Sequence, residues 1–257
     1  MKNLLRITAA LLLSLFGILP AAHAQGYGYP PSLPTPVEAF DQQLATGWNL
    51  IGNPLGVAID VIATLGSPDQ PVEGVTDAIL SVWKWNNSTG QWTFYSPQLS
   101  STGVSTYAES KGYQVAWQVN SGEGFWVNTR WDVKLPKVVG EGYKYFYPNF
   151  STLGCGWLLL SLPEAISPRD FNQQISRLSL GAPPAAGTSA PNIPINFKSM
   201  WMWDAYGKKW IFYAPELEAL GGNVGYDYAT SRGMYDGTYW TKPAGTGAWV
   251  NKSCSSG

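Results

Sequence analysis

The sequence predicts an all-β protein: two tandem, small antiparallel β-barrel or sandwich units, each with about five or six strands and at most one short helix. Three observations lead there. Aromatic residues (14%) slightly outnumber charged ones (13%), and 28 Gly and 19 Pro punctuate 257 residues, as in a turn-rich β-protein. Stretches such as "SVWKWN" and "QWTFYS" alternate with the two-residue period of a strand. The chain also states one pattern twice, in the same order.

The first element precedes the fold. Lys2 and Arg6 form a positive start, "ITAALLLSLFGILP" an apolar core too short for a good membrane span, and "AHA" a small-x-small cleavage site before Gln25. Residues 1–24 therefore read as a secretory signal. No later apolar run is long enough to span a bilayer, so no integral membrane segment is expected once the signal is removed. Residues 25–43 read as a Pro-rich arm, 44–136 as the first unit, 137–152 as an aromatic linker and 153–257 as the second unit.

The repeat is legible block by block. "GWNLIGNPL" from Gly47 is answered by "GWLLLSLPE" from Gly156, and "SVWKWNNSTGQWTFYSPQL" from Ser81 by "SMWMWDAYGKKWIFYAPEL" from Ser199. "YAESKG" from Tyr107 meets "YATSRG" from Tyr228, and "GEGFWVN" from Gly122 meets "GTGAWVN" from Gly245. Trp48, Trp83, Trp85, Trp92, Trp117 and Trp126 then align with Trp157, Trp201, Trp203, Trp210, Trp240 and Trp249, leaving Trp131 alone. Tryptophans shared this way are expected to serve the fold.

"NNSTG" is a Gly-containing hairpin loop, and alternation puts Trp83, Trp85, Trp92 and Phe94 on one face of the hairpin it closes. That face is expected to be the core. Val82, Lys84, Thr93 and Tyr95 are expected to be partly exposed; their counterparts Met200, Met202, Ile211 and Tyr213 form a more apolar set. The Gly-x-Gly entry to "GFWVN" and "GAWVN" marks a bend or a close backbone approach. "SPRDFNQQISRL" reads as a short helix, with Ser167 as N-cap and Pro168 at its first position; "VAIDVIATLG" is its weaker counterpart. Cys155 precedes the first strand of the second unit and Cys254 follows its last, so a disulfide is expected to bring those strands together. In the first unit the aligned positions are Thr46 and Trp131, and Trp131 is expected to pack where the bridge would lie.

"GWNLIG", the W-x-W…W-x-FY-x-P hairpin, "YA-x-SKGY" and "GEGFWVN" resemble a tandem repeat of exported bacterial surface proteins. The resemblance covers nearly all of the chain after the arm, more tightly in the first unit. It implies a secreted β-repeat and no particular chemistry.

Composition narrows function by exclusion. The single histidine, His23, lies in the signal, which removes Ser-His and Cys-His pairs and His metal ligands from the remainder. Without the signal, 14 basic residues face 17 acidic ones, a net charge of about −3 and no footprint for nucleic acid. Acids in the repeat blocks do not recur: Glu109 aligns with Thr230 and Glu123 with Thr246, so no duplicated carboxylate pair for glycoside hydrolysis emerges. No cofactor, metal or catalytic residue is therefore assigned. The expected role is a non-enzymatic structural or adhesive protein of the cell surface or extracellular matrix, with a carbohydrate-binding module as the alternative. The partners considered are another copy of the chain, other surface proteins and polysaccharide. Aromatics not matched between units mark the candidate partner or glycan contacts, Tyr27 and Tyr29 in "GYGYPP" and Tyr143, Tyr145, Phe146 and Tyr147 in "EGYKYFYPNF"; the plainer reading of these stretches is a linker that packs against its neighbours.

Overall fold

The alternating stretches are strands, and each belongs to one of two five-stranded sheets. The structure, a computed structural model, describes residues 37–143, 146–180 and 193–254. The signal, Tyr27, Tyr29, Tyr145 and most of the Pro/Ala-rich insertion of the second unit lie outside the described residues.

The first half opens with β1 (Val37–Phe40), β2 (Gln43–Leu44), β3 (Gly47–Gly52), β4 (Ile59–Asp60) and α1 (Val61–Leu65). It continues with the hairpin β5 (Ile79–Asn86) and β6 (Gln91–Tyr95), then α2 (Ser101–Ser110), β7 (Gln114–Val115) and β8 (Gln118–Val119). β9 (Gly124–Thr129), β10 (Val133–Lys134) and β11 (Val138–Glu141) complete it, and α3 (Phe146–Phe150) leads onward. The second half contains β12 (Gly156–Ser161), α4 (Pro168–Leu180), β13 (Phe197–Asp204), β14 (Lys209–Tyr213) and α5 (Pro215–Ala219). It ends with α6 (Val224–Ser231), β15 (Tyr235–Asp236) and β16 (Gly247–Lys252).

The first sheet has the order β3-β9-β5-β6-β7 and the second β12-β16-β13-β14-β15. Equivalent bulges interrupt them, at Ile79/Ser81 and at Phe197/Ser199. Neither sheet closes, so the expectation of a closed or nearly closed barrel is corrected. So is the expectation of purely antiparallel pairing, because β7 joins β6 and β15 joins β14 in parallel. A parallel neighbour needs a crossover, and here helices supply it: α2 in the first half, α5 and α6 in the second. At most one helix per half was expected. α2 carries Gly, Ser and Thr, poor helix formers, which hid it. It forms because Ser100 accepts from the Gly103 amide at its start and Val104 and Ala108 are buried. α1 and α4 lie where expected: Asp60 caps α1, and the Asp170 amide donates to Ser167 Oγ at the start of α4.

Each half has its own core. In the first, Phe40, Ile51, Val82, Tyr95, Phe125 and Val127 belong to one buried cluster; in the second, Leu160, Phe171, Met200, Met202, Ile211 and Val250 belong to another. Burial of each such side chain contributes about 1.5–3 kcal/mol, so this face organises the sheet. It is the face opposite the tryptophans. The predicted inside and outside of the hairpin are therefore largely exchanged: Val82, Lys84, Thr93 and Tyr95 are buried, while Trp83, Trp85 and Trp92 are partly exposed and of the predicted core face only Phe94 is buried. No tryptophan is a buried member of either core, although Trp201 packs, partly buried, against a small third cluster of Phe212, Ala214 and Ala229 on the tryptophan side of the second sheet.

Residues 35–257 cluster as one compact unit, and the contact between halves explains the indole faces. Trp85 and Trp92 of the first half meet Trp249 of the second, with ring centroids 6.0 and 5.8 Å apart. Reciprocally, Trp203 and Trp210 meet Trp126 at 6.4 and 5.8 Å. The backbones cross with matching bonds, the Gly52 amide donating to the Gly245 carbonyl (2.7 Å) and the Ser161 amide to the Gly122 carbonyl (2.8 Å). A Cβ at Gly124 would lie 2.5 Å from the Leu160 carbonyl oxygen, and one at Gly247 equally close to that of Ile51. The second glycine of each Gly-x-Gly is thus needed for close approach of the other half's backbone.

Candidate functional site

Because each core lies on the opposite face, the rings of a tryptophan face line open space wherever the other half does not cover them. Two clefts result. The first, about 480 Å³, is lined by Trp48, Trp83, Trp92, Tyr113 and Trp126 of the first half, with Trp203 and Trp210 of the second. The second, about 510 Å³, is lined by Trp157, Trp201, Trp210 and Trp249, with Trp85 reaching over from the first half. The two linings correspond through the sequence repeat at Trp48/Trp157, Trp83/Trp201, Trp92/Trp210, Trp126/Trp249 and Trp203/Trp85, whereas Tyr113 and a second lent ring, Trp210, are additions of the first cleft.

Strand register sets the rings in rows. Trp126 pairs with Trp83 across β9 and β5, and Trp83 with Phe94 across β5 and β6. Trp249, Trp201 and Phe212 repeat this row in the second sheet. Trp48 and Trp157, on the outer strands β3 and β12, are the most open members, 43% and 47% exposed. Hydrogen bonds help fix the rings: Trp83 Nε1 donates to Ser81 Oγ (3.2 Å), Trp201 Nε1 to Ser199 Oγ (3.0 Å) and Trp203 Nε1 to the Trp48 carbonyl (2.8 Å). Perpendicular pairs, such as Trp48 with Trp126 at 87° and Trp126 with Trp210 at 84°, give the first cleft walls as well as a floor.

The chemistry of these linings is narrow. Among the described residues every lining residue is Trp apart from Tyr113, so these contribute no carboxylate, amine or imidazole to either cleft. General acid–base and nucleophilic catalysis need such groups within hydrogen-bond reach of a reacting atom. What indole faces do well is stack on flat, weakly polar surfaces. Among the described residues, no group of three or more His, Cys, Asp or Glu is arranged to hold a metal ion.

The predicted contact residues are not at these clefts. Phe146 is 3% exposed and belongs to the second core, against Phe171 at 5.6 Å, so it packs as a linker residue against its neighbours and offers no surface for a partner. An aromatic run that looked like linker surface supplies α3, which packs on α4. Tyr143 and Tyr147 are half-buried against the same cluster. Tyr147 donates from its hydroxyl to Glu164 (2.7 Å), and burial with that carboxylate pushes its pKa far up. Cys155 and Cys254 are joined, with Cα atoms 4.9 Å apart. The equivalent closure in the first half comes from Asp132: Thr46 donates to it from its amide (2.7 Å) and hydroxyl (2.8 Å). Trp131, the residue expected there, is 48% exposed, and the hydrogen bonds to Thr46 come from its neighbour.

Sequence reasoning missed Trp48, Trp126, Trp157, Trp249 and Tyr113 as a surface. The signal was present in the second half, where Met200, Met202 and Ile211 opposite the tryptophans are too apolar for an outer face. No family model, curated protein or solved structure matches this chain, so the clefts are read from their geometry.

Proposed function

We propose that the chain is an exported, non-enzymatic adhesive protein that holds glycan chains by stacking their sugar rings on its tryptophan clefts. One observation carries this reading: five of the six repeated tryptophan pairs, all but Trp117 and Trp240, line open clefts and leave both cores to other side chains. A pyranose ring offers an apolar C–H face and a polar rim. A cleft of aromatic faces open to water matches the first and leaves the second hydrated. The signal-like leader, the disulfide and the resemblance of the repeat to exported bacterial surface proteins all support action outside the cytoplasm. Among the described residues, no helix is long and apolar enough to cross a membrane.

Assembly through the β3 and β12 strand edges receives less support, because these two edges are occupied from within. Asn87 bonds both the amide (2.8 Å) and the carbonyl (3.1 Å) of Leu159 on β12, while Trp203 and Lys208 bond carbonyls of Trp48 and Thr46 at β3. The test is a glycan array read with residues 25–257, together with intrinsic tryptophan fluorescence. Array signal and a shifted emission are expected for the same glycans. Silence on the array, with emission unchanged by soluble polysaccharides, sinks the reading.

A further inference from the structure

We infer that the two clefts form one continuous binding surface for a single long, uncharged polysaccharide with equatorial β-1,4 linkages, which runs across the shared ring of Trp210. The inference rests on the glycan reading and adds the ligand's charge, shape and length. Charge comes from the linings: among the described residues they hold neither a cation nor an anion and so offer an ionised ligand no counter-charge, and a neutral chain fits best. Shape comes from the rows. Equatorial linkages produce a flat ribbon with apolar C–H faces, which matches rings ranked across a sheet, whereas axial linkages curl the chain away from such a row. An alkyl chain, in contrast, is best served by an enclosed pocket.

Length comes from spacing and sharing. The lining of the first cleft runs from Trp48 on β3 through β9, β5 and β6 to Tyr113 beside β7, which is four inter-strand gaps, or roughly 19 Å. Trp210 lines both clefts and lies 5.8 Å from Trp126 and 6.1 Å from Trp201. On the other side, Trp249 touches Trp85 and Trp92 across the same boundary. No gap in ring contacts separates one cleft from the next. Each stacked sugar adds little, but a chain engaging both clefts makes the second contact intramolecular, so affinity rises steeply once the chain spans them.

The probes are neutral, soluble and size-fractionated: hydroxyethyl cellulose and glycol chitin as equatorial chains, hydroxyethyl starch as the axial contrast. Titration is followed by fluorescence and calorimetry. At least one equatorial series is expected to bind, tightening about tenfold or more between tetrasaccharide-sized and much longer fractions. Trp48→Ala and Trp157→Ala alter opposite, exposed ends of the surface, and unchanged thermal midpoints verify their folding. Either change alone is expected to return long-chain affinity to about the short-chain value. The inference is overturned if long and short fractions bind alike, if the two changes act independently on long chains, or if starch binds as tightly as the equatorial series. It is also overturned if sedimentation finds a dimer of the free protein with both clefts protected, because a second copy then occupies them. Absence of binding by all three polymers removes the glycan reading itself, an outcome distinct from short-chain binding without a length step.

Discussion

The two halves share strand order, bulges and ring positions, yet they are fastened by different physics. At the sheet end by Gly47, the first half uses the Thr46–Asp132 hydrogen bonds where the second uses the Cys155–Cys254 bridge. On the core face, the first half buries Asn49, which bonds the Ala45 and Gly47 carbonyls (2.7 and 2.9 Å), where the second buries Leu158. Lys84, only 8% exposed, reaches Glu123 at 2.7 Å, where the aligned residues are Met202 and Thr246. One backbone plan thus tolerates a polar, hydrogen-bonded solution and an apolar, cross-linked one, provided every buried polar atom finds a partner. The first half should therefore respond more to acid, the second to reductant.

The largest expected effect lies in the second half. Replacing Cys155 and Cys254 by Ser releases a loop of 99 residues, and the chain-entropy model gives a loss of at most about 4–5 kcal/mol. Thermal unfolding with and without reductant measures it. A reduced protein as stable as the oxidised one would show that the bridge merely decorates an already closed sheet.

Next comes the ion pair of the first half. Glu123→Ala leaves the Lys84 ammonium buried without its carboxylate and should cost about 3 kcal/mol. Lys84→Met with Glu123→Thr copies the second half and should recover most of that stability, since an apolar replacement of a buried pair is often neutral. Urea midpoints decide; a double variant as weak as the single one breaks the equivalence of the halves.

The smallest effects are in pH. Thr46 donates two hydrogen bonds to Asp132 and holds its pKa below the usual 3.8, so this stabilisation is complete above about pH 4 and fades as pH falls through the lowered value. Asp132→Asn should flatten the acid limb of a stability profile. At the other extreme, burial pushes the Tyr95 hydroxyl, which donates to the Gly66 carbonyl, up to about 12. Because that pKa is raised, stability is intact below about pH 10 and is lost as pH climbs from there towards 12, an alkaline limb that Tyr95→Phe should shift.

Much of the fold was legible in local pattern. Period-two alternation and the NNSTG loop located the β5–β6 hairpin, Ser167 and Pro168 located α4, and the flanking positions of the cysteines foretold that the first and last strands of the second half, β12 and β16, meet. These are short-range rules, set by backbone sterics and loop chemistry. α2 escaped because its residues favour a helix only once Val104 and Ala108 have a core to enter, and Phe146 was misplaced because nothing local distinguishes a linker aromatic from a core one.

What the sequence determined by itself is the periodicity: which side chains share a face, and that the pattern occurs twice. Which face is inside was only hinted at, by Met200, Met202 and Ile211 in the second half, and was decided by tertiary structure. An alternating strand offers two faces, and the choice depends on what the rest of the chain brings to each. Here the flanking strands and helices cover Val82 and Tyr95, while the opposite half, held close by Gly124 and Gly247, covers only part of the indoles and leaves the remainder as clefts.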